Sequence, residues 1–414
     1  MFKKTILFVC AVCSMSFIYA QKIEKDTLSA IEKLKDVTVH YNKWEQNLNE
    51  VPNRIVKISL KNLRLQNPQT MADALGTTGD VFIQKSQLGG GSPMIRGFAT
   101  NRVLIVVDGV RMNNAIYRSG NLQNIISLDA LAIDDAEIIF GPGSLIYGSD
   151  AIGGVMDFHT LQPKFATPKN NLVSGNALLR YSSANKENTA HFNFNIASSK
   201  LSFLTSFTYS NFSDLQMGKN GGDKSYLRNE YVERTNNADV VVTNDNPRVQ
   251  KFSGYFQKNL LSKLAYQPNK NLLLQYGFHY STTGNTPRYD RLIEYAGNTL
   301  RFAEWNYGPQ TWLMHNLQVQ HSKATKLYNN VRLTVAYQDC EESRIDRRRN
   351  NNNRRTQTEQ VQALSINVDA EKILSTKETI FYGVEFIDNA IGSFGNTQNI
   401  NTQVQTAVAT RYPN

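Results

Sequence analysis

Few residues in this chain are placed to make or break a covalent bond. Ser144 stands in Gly141-Pro142-Gly143-Ser144-Leu145, without the glycine two residues on that a nucleophile elbow needs. No His and Asp are spaced to complete a triad. Gly89-Gly90-Gly91-Ser92 lacks the lysine of a phosphate-cradling loop and opens no helix. Cys10 and Cys13 fall in the N-terminal apolar run and leave Cys340 alone, so no disulfide framework or cysteine metal site is expected. The residues imply neither an enzyme nor a cofactor. The chemistry that remains is charge inside an apolar, glycine-rich stretch: Arg96, Asp108, Arg111 and Glu137. A partly desolvated charge is tolerable only when paired. Each of the four is therefore expected to have an opposite partner, within its own domain or in a wall around it.

The elements that must hold these charges are short. Val103 to Val107 reads as a strand, and Asp108-Gly109 is a two-residue turn returning the chain along Val110-Arg111-Met112. Arg54 to Ile58 and Val81 to Lys85 are further strands. A short helix near Pro68 is expected to bury Met71, Ala72, Ala74 and Leu75. Ile138-Ile139-Phe140 runs into the glycine turns of residues 141–155.

Ahead of this block, Lys3-Lys4, the apolar run Thr5 to Ile18 and the small residue Ala20 form a secretory signal, too short for the ~20 residues of a spanning helix. The expected organisation is a signal at 1–20, an N-terminal segment at 21–47, the glycine-rich domain at 48–160 and a distinct region at 161–414. No later run is apolar enough for a transmembrane helix, which leaves an exported soluble protein or a β-barrel. Mean hydropathy of −0.41 does not decide against a barrel, whose lumen and loops are polar. A net charge of +10 could suggest nucleic acid, but the basic run Arg347-Arg348-Arg349 with Arg354-Arg355 is broken by four asparagines and has no interleaved aromatics. Export also argues against it. A solvated outer loop, or contact with lipopolysaccharide phosphates, are the two readings of that run.

After Pro163 the texture becomes alternating, in segments near the ~9–11 residues of a transmembrane strand. Leu201, Phe203, Thr205, Phe207 and Tyr209 share one parity, against Ser202, Ser206, Thr208 and Ser210. Leu272, Leu274, Tyr276, Phe278 and Tyr280 repeat it, as do Val331 to Tyr337, Leu364 to Val368 and Ile380 to Phe386. By the same parity His279 faces the lumen and His315 faces outward. Connections alternate tight (near 199–200, 268–270, 322–325) and long (212–250, 283–310, 339–358), the asymmetry of a barrel with long external loops. About nine strands can be counted.

Ile95-Arg96-Gly97-Phe98, Val107-Asp108-Gly109-Val110, Glu137 to Ser144, Tyr147-Gly148 and Ala151 to Val155, in that order, resemble the plug of a TonB-dependent outer-membrane receptor. The resemblance covers Pro52 to Phe158 closely. It implies a mixed α/β plug domain followed by antiparallel transmembrane β-barrel strands in the Gram-negative outer membrane. A plug of this size implies about 22 strands, so the barrel is expected to be incomplete here, with about nine of them. The chain also ends at Tyr412-Pro413-Asn414, without the terminal aromatic usual in that family. The resemblance further implies a TonB box, an extended peptide adding a strand to the TonB energising protein, placed at Lys35, Asp36, Val37, Thr38 and Val39. A first plug strand is the competing reading of that stretch. The four embedded charges would keep the plug lodged yet movable.

Ligand contact is expected from the plug apex, Gly89 to Ser92 and Asn113 to Asn121 with Tyr117 and Arg118, and from outer loops. Pro287 to Leu292 and Phe302 to Gln310 resemble the haem, haemoglobin and transferrin branch of these receptors. Arg288, Tyr289, Trp305, Tyr307 and His279 are then candidates, since aromatic faces stack on a porphyrin and arginine pairs its propionates. An axial ligand would be His or Tyr, and no single residue stands out. The transported ligand, as opposed to a cofactor, would be haem or a ferric siderophore. The rival from another class is a non-transporting surface binding protein or adhesin, which needs neither plug nor box.

Overall fold

The computed structural model describes residues 38–85, 88–112, 115–116, 124–168, 170–220, 224 and 227–412. Strands β1 (Thr38–Tyr41) and β2 (Trp44–Asn47) pair across Asn42-Lys43, both in the left-handed region. The glycine-rich domain follows with β3 (Ile55–Ser59), α1 (Leu60–Gln66), α2 (Met71–Gly76), β4 (Phe82–Gln84), β5 (Ser92–Met94), β6 (Val103–Val107), β7 (Val110–Arg111), β8 (Ile133–Phe140), α3 (Ser144–Tyr147) and β9 (Gly154–Thr160). Thr70 caps α2 by accepting from the Asp73 amide, and the helix buries Met71, Ala72, Ala74 and Leu75, the face expected from the sequence.

The central sheet runs β3-β8-β9-β6-β7, antiparallel except for the β6–β9 pair. It is buried on both faces, which is why Val103 to Val107 is continuously apolar. Val103, Ile105 and Val107 join Met71, Met156 and Phe158 on one face. Leu104 and Val106 join Ile139, Tyr147 and Val155 on the other.

The second region is one antiparallel sheet built in chain order from nine long strands: β10 (Leu172–Ser182), β11 (Glu187–Ala197), β12 (Leu201–Phe212), β15 (Tyr255–Asn269), β16 (Leu272–Thr283), β20 (Phe302–Ser322), β21 (Asn330–Arg348), β22 (Asn353–Ile373) and β23 (Thr379–Asn399). Short β24 (Gln405–Ala407) extends the far edge. The outer connections carry the hairpin of β13 (Glu230–Thr235) and β14 (Ala238–Thr243), the strand β17 (Thr286–Pro287), helix α4 (Tyr289–Leu292), and the hairpin of β18 (Tyr295–Ala296) and β19 (Thr299–Leu300). No helix among the described residues is long and apolar enough to cross a membrane.

Register aligns the outward apolar residues into one band: Phe192 opposite Phe207, Phe207 opposite Leu260, Leu260 opposite Tyr280, Tyr280 opposite Leu313. A second row, Leu274, Val319, Leu333, Val368 and Val384, is in register nearer the short turns. Inward parity is small and polar in β12, where Ser202, Ser206, Thr208 and Ser210 are buried. Trp312, Met314 and Ala336 on the inner face complete the core of the glycine-rich domain, so sheet and plug-like domain share one apolar interior. Burial alternates least in β10 and β23, near the two ends of the sheet, where many residues of either parity are exposed, although Arg180 and Glu385 on them still meet the glycine-rich domain.

Two expected loops are shorter than read: the connection 283–310 gives up residues 302–310 to β20, and the next nearly vanishes. Residues 339–358 read as a long connection, yet β21 and β22 extend through them with Asp346 opposite Arg355, leaving only residues 349–352 as the turn. Cross-strand polar pairing carries the ladder past the apolar band, where hydropathy alone ends the strand. Arg347, expected in that solvated loop, is buried between Asp239 (2.7 Å) and Glu304 (2.7 Å).

Candidate functional site

The β6–β7 turn meets the wall. Asp108 (φ 48°) and Gly109 (φ 79°) hold the left-handed geometry of a two-residue hairpin. The Asp108 carboxylate lies 2.9 Å from Lys263 Nζ and 3.4 Å from His279 Nε2, both on the wall, and accepts from the Thr160 amide (3.0 Å) and hydroxyl (2.6 Å). Burial pushes the Asp108 carboxyl up, but the Lys263 ammonium and the bonds from His279 and Thr160 outweigh it and hold it well below the usual range. Gln318 (2.6 Å) and Asn316 (3.2 Å) donate to the Asp108 carbonyl, and Gln338 donates to that of Arg111 (2.9 Å). Arg111 reaches Asp150 within the domain (3.3 Å) and Glu385 on the wall (3.8 Å).

The β1–β2 hairpin is a strap across the same interface. Lys43 pairs with Asp369 of the wall at 2.9 Å. Arg332 of the wall donates to the Lys43 carbonyl (2.7 Å) and lies over the Trp44 ring at 5.0 Å. His40 binds Glu137 of β8 through its amide (2.7 Å) and Nδ1 (3.3 Å). Beside it, His159 Nδ1 stands 2.7 Å from Asp135, and Lys57 bridges Asp135 (3.4 Å) and Glu137 (3.2 Å). Burial lowers the His159 imidazolium, but Asp157 and Asp135 outweigh that and raise it to about 9. A polar cavity of about 330 Å3 lies between these groups and the wall, lined by Asp108, Arg111, Asp157, His159, Gln318 and Arg332 among others.

The sequence candidates separate into three sets. Asp108 and Arg111 bridge to the wall, and Glu137 is paired inside the domain with His40 and Lys57. Arg96 departs from expectation. It is exposed, with its guanidinium over the Phe140 ring at 5.1 Å in place of a carboxylate, because the tight turn it occupies (φ 50°) projects it outward. The glycines of Gly89 to Ser92 are buried against the outer end of β15: a Cβ on Gly89 would sit 2.5 Å from the Tyr255 ring. Lys35, Asp36 and Val37, the signal at 1–20, and Tyr117 and Arg118 lie outside the described residues. Thr38 and Val39 begin β1, with Val39 buried.

The candidates expected in one outer loop are largely consumed by packing on one another, and Phe302 to Gln310 is the opening stretch of β20, where cross-strand pairing extends the strand. Trp305 and Tyr307 are buried with Leu292 and Phe302 and meet edge-to-face at 5.0 Å. Arg288 lies over Trp305 at 4.9 Å, donates to the Tyr307 hydroxyl (2.9 Å) and pairs with Asp290 (3.0 Å). Tyr289 is half-buried beneath Arg228. His279 faces the lumen side, but at 4 % exposure against Asp108 it cannot reach an external iron atom. His315 faces outward, bonded to the Tyr276 hydroxyl at 2.6 Å.

Reasoning from sequence missed Lys263, Glu385, Asp369 and the histidines His40 and His159. A signal for Lys263 was present: it holds inward parity between Leu261 and Ala265, a charge where the strand turns to the core.

Residues 47–155 match the family model described as TonB-dependent Receptor Plug Domain. The chain is 35% identical over 150 residues to a vitamin B12 transporter, BtuB, of Vibrio vulnificus, covering 35% of this chain and 22% of that protein. It is 30% identical over 165 residues to the Heme/hemopexin utilization protein C of Haemophilus influenzae, covering 38% and 20%. The matched stretches thus span about a fifth of those relatives. Among solved structures, the Copper transporter OprC superposes with a TM-score of 0.65 at 14% identity, over 85% of this chain and 48% of that one, a likeness of fold.

Proposed function

We propose that this chain carries the plug and nine wall strands of a TonB-dependent outer-membrane receptor for energy-coupled uptake, with an iron-containing ligand as cargo. The observation that carries the reading is the Asp108–Lys263 contact: a buried charge pair joins the glycine-rich domain to the inner face of a sheet whose outer face is an apolar band. Such a domain is held by a few polar contacts as well as by apolar packing, and those contacts can be exchanged without unfolding the wall. The TonB box is placed at Lys35 to Val39. Strand addition there would load the strap, whose first strand starts at Thr38 inside the box, and through His40 and Lys43 both the plug sheet and the wall.

Haem is the ligand we put first, on the arginine- and tyrosine-rich outer loop and the similarity to a haem-utilization protein. With Trp305 and Tyr307 committed to the cluster under α4, contact falls to side chains such as Tyr295, which is more than half exposed. The similarity to a vitamin B12 transporter keeps cobalamin in the comparison, and a ferric siderophore is the third ligand. The test is growth of an uptake-deficient Gram-negative strain expressing the full reading frame, with haem, a ferric siderophore or cobalamin supplied as the limiting nutrient. TonB-dependent growth on haem supports the assignment. Growth only on one of the others replaces the ligand and keeps the transporter. Growth on any of them in a strain lacking TonB refutes energy coupling.

A further inference from the structure

We propose that His40, Asp135, Glu137 and His159 form a binding site for a divalent first-row transition metal, with Zn2+ the best fit, that fastens the strap to the plug sheet. The four residues come from three elements: His40 from β1, Asp135 and Glu137 from β8, and His159 from β9. One ligand atom from each lies within 4.8 Å of all the others. Tetrahedral ligands around Zn2+ stand about 3.4 Å apart, given metal–ligand bonds of about 2.1 Å. Closing the set therefore means drawing the widest pair together by about 1.4 Å. The ring centroids of His40 and His159 are already 4.0 Å apart. Carboxylates alone would suit Ca2+ or Mg2+, whereas two imidazoles move the preference to Zn2+ and its neighbours.

A second observation points to a ligand independently of the cluster. Asp157 is 4 % exposed, and its Oδ1 has no hydrogen-bond partner among the described residues. That atom lies 3.7 Å from His159 Nε2 and lines the polar cavity. A histidine bound to metal through one nitrogen donates its other N–H to a carboxylate, which fixes the ring and strengthens the ligand. With Nδ1 turned to the metal beside Asp135, the Nε2–H of His159 points at this orphan acceptor, so Asp157 acts as a positioning residue. Lys57 supplies the positive charge between the two carboxylates, 3.2 Å from Glu137 and 3.4 Å from Asp135. Its side chain is partly exposed, so it can swing to solvent when a divalent ion enters. The assignment stands on these residues alone and does not depend on the transport reading.

The experiment titrates the purified product of the full reading frame, in detergent, with Zn2+ against a chromogenic chelator, and with Co2+ followed by its visible d–d spectrum. One tight equivalent and an intense tetrahedral Co2+ spectrum are expected. His159→Ala should weaken binding at least tenfold, as should His40→Asn, a change on a partly exposed strand that spares the fold. Asp157→Asn should weaken it by about 10-fold while leaving the stoichiometry intact. Lys57→Met supplies the opposite sign: removing the competing cation should tighten binding at least tenfold, an outcome misfolding cannot produce. Zn2+ binding that is absent, or that none of these substitutions changes, overturns the proposal.

Discussion

Neutralising Asp108 is the sharpest probe of how the plug is held. Asp108→Asn keeps the turn, since asparagine tolerates the left-handed region that Asp108 occupies at φ 48° and Asn-Gly suits a two-residue hairpin. It also keeps an acceptor for the Thr160 amide. What it removes is the countercharge of Lys263, whose side chain is 1 % exposed and 2.9 Å away. Breaking a buried pair by deleting one partner costs about 3–5 kcal/mol, because the other charge stays desolvated. Lys263→Met should cost less, as Asp108 still accepts two bonds from Thr160 and faces His279. The double variant should recover at least ~1 kcal/mol of the summed losses, since no unpaired charge then remains. The assay is urea-induced release of the plug, read by fluorescence of Trp312, which is buried in the shared core and bonded to Gln338. Trp44→Phe and Trp305→Phe remove the other two tryptophan signals of these 414 residues. The carboxyl is held below its ordinary value, so its contribution is complete above about pH 4 and is lost only as pH falls below that toward the depressed value. Added salt should matter little at a buried pair. A loss under ~1 kcal/mol for Asp108→Asn, or strict additivity in the double variant, would refute the argument.

Three further expectations can be measured alongside it. Gly89→Ala drives a Cβ into the Tyr255 ring, which is buried and stacked on Phe212 at 4.8 Å, and should cost about 1–3 kcal/mol in the same urea assay. Phe207→Arg, in the centre of the outward band between Phe192 and Leu260, should cost about 2–4 kcal/mol in refolding into lipid vesicles, while Ser206→Ala one residue away should be close to neutral. Deleting Lys35 to Val39 should abolish uptake of labelled ligand and leave surface binding unchanged; uptake that survives the deletion removes the box from that position.

Local pattern was enough for much of the architecture. The apolar run at Val103, the Asp108-Gly109 turn, the buried face of Met71 to Leu75 and the nine alternating strands each follow from a two- or 3.6-residue period and from turn chemistry acting within a few residues. Parity also placed His279 inward and His315 outward, because a strand has only two faces. Partners were not legible, because they are separated by many residues. Asp108 and Lys263 are 155 positions apart, and Lys43 and Asp369 are 326 apart, so only folding decides that they touch. The same holds where the expectations were displaced. Arg96 lies outside because its turn projects it there, Trp305 and Tyr307 are hidden because Leu292 of α4 packs onto them at the head of β20, and β21 and β22 run on because cross-strand bonds replace apolar burial. Sequence determined which residues could be buried and which way each strand must face. Tertiary structure alone decided which charges meet, since a desolvated charge takes whichever opposite partner the fold brings within about 3 Å.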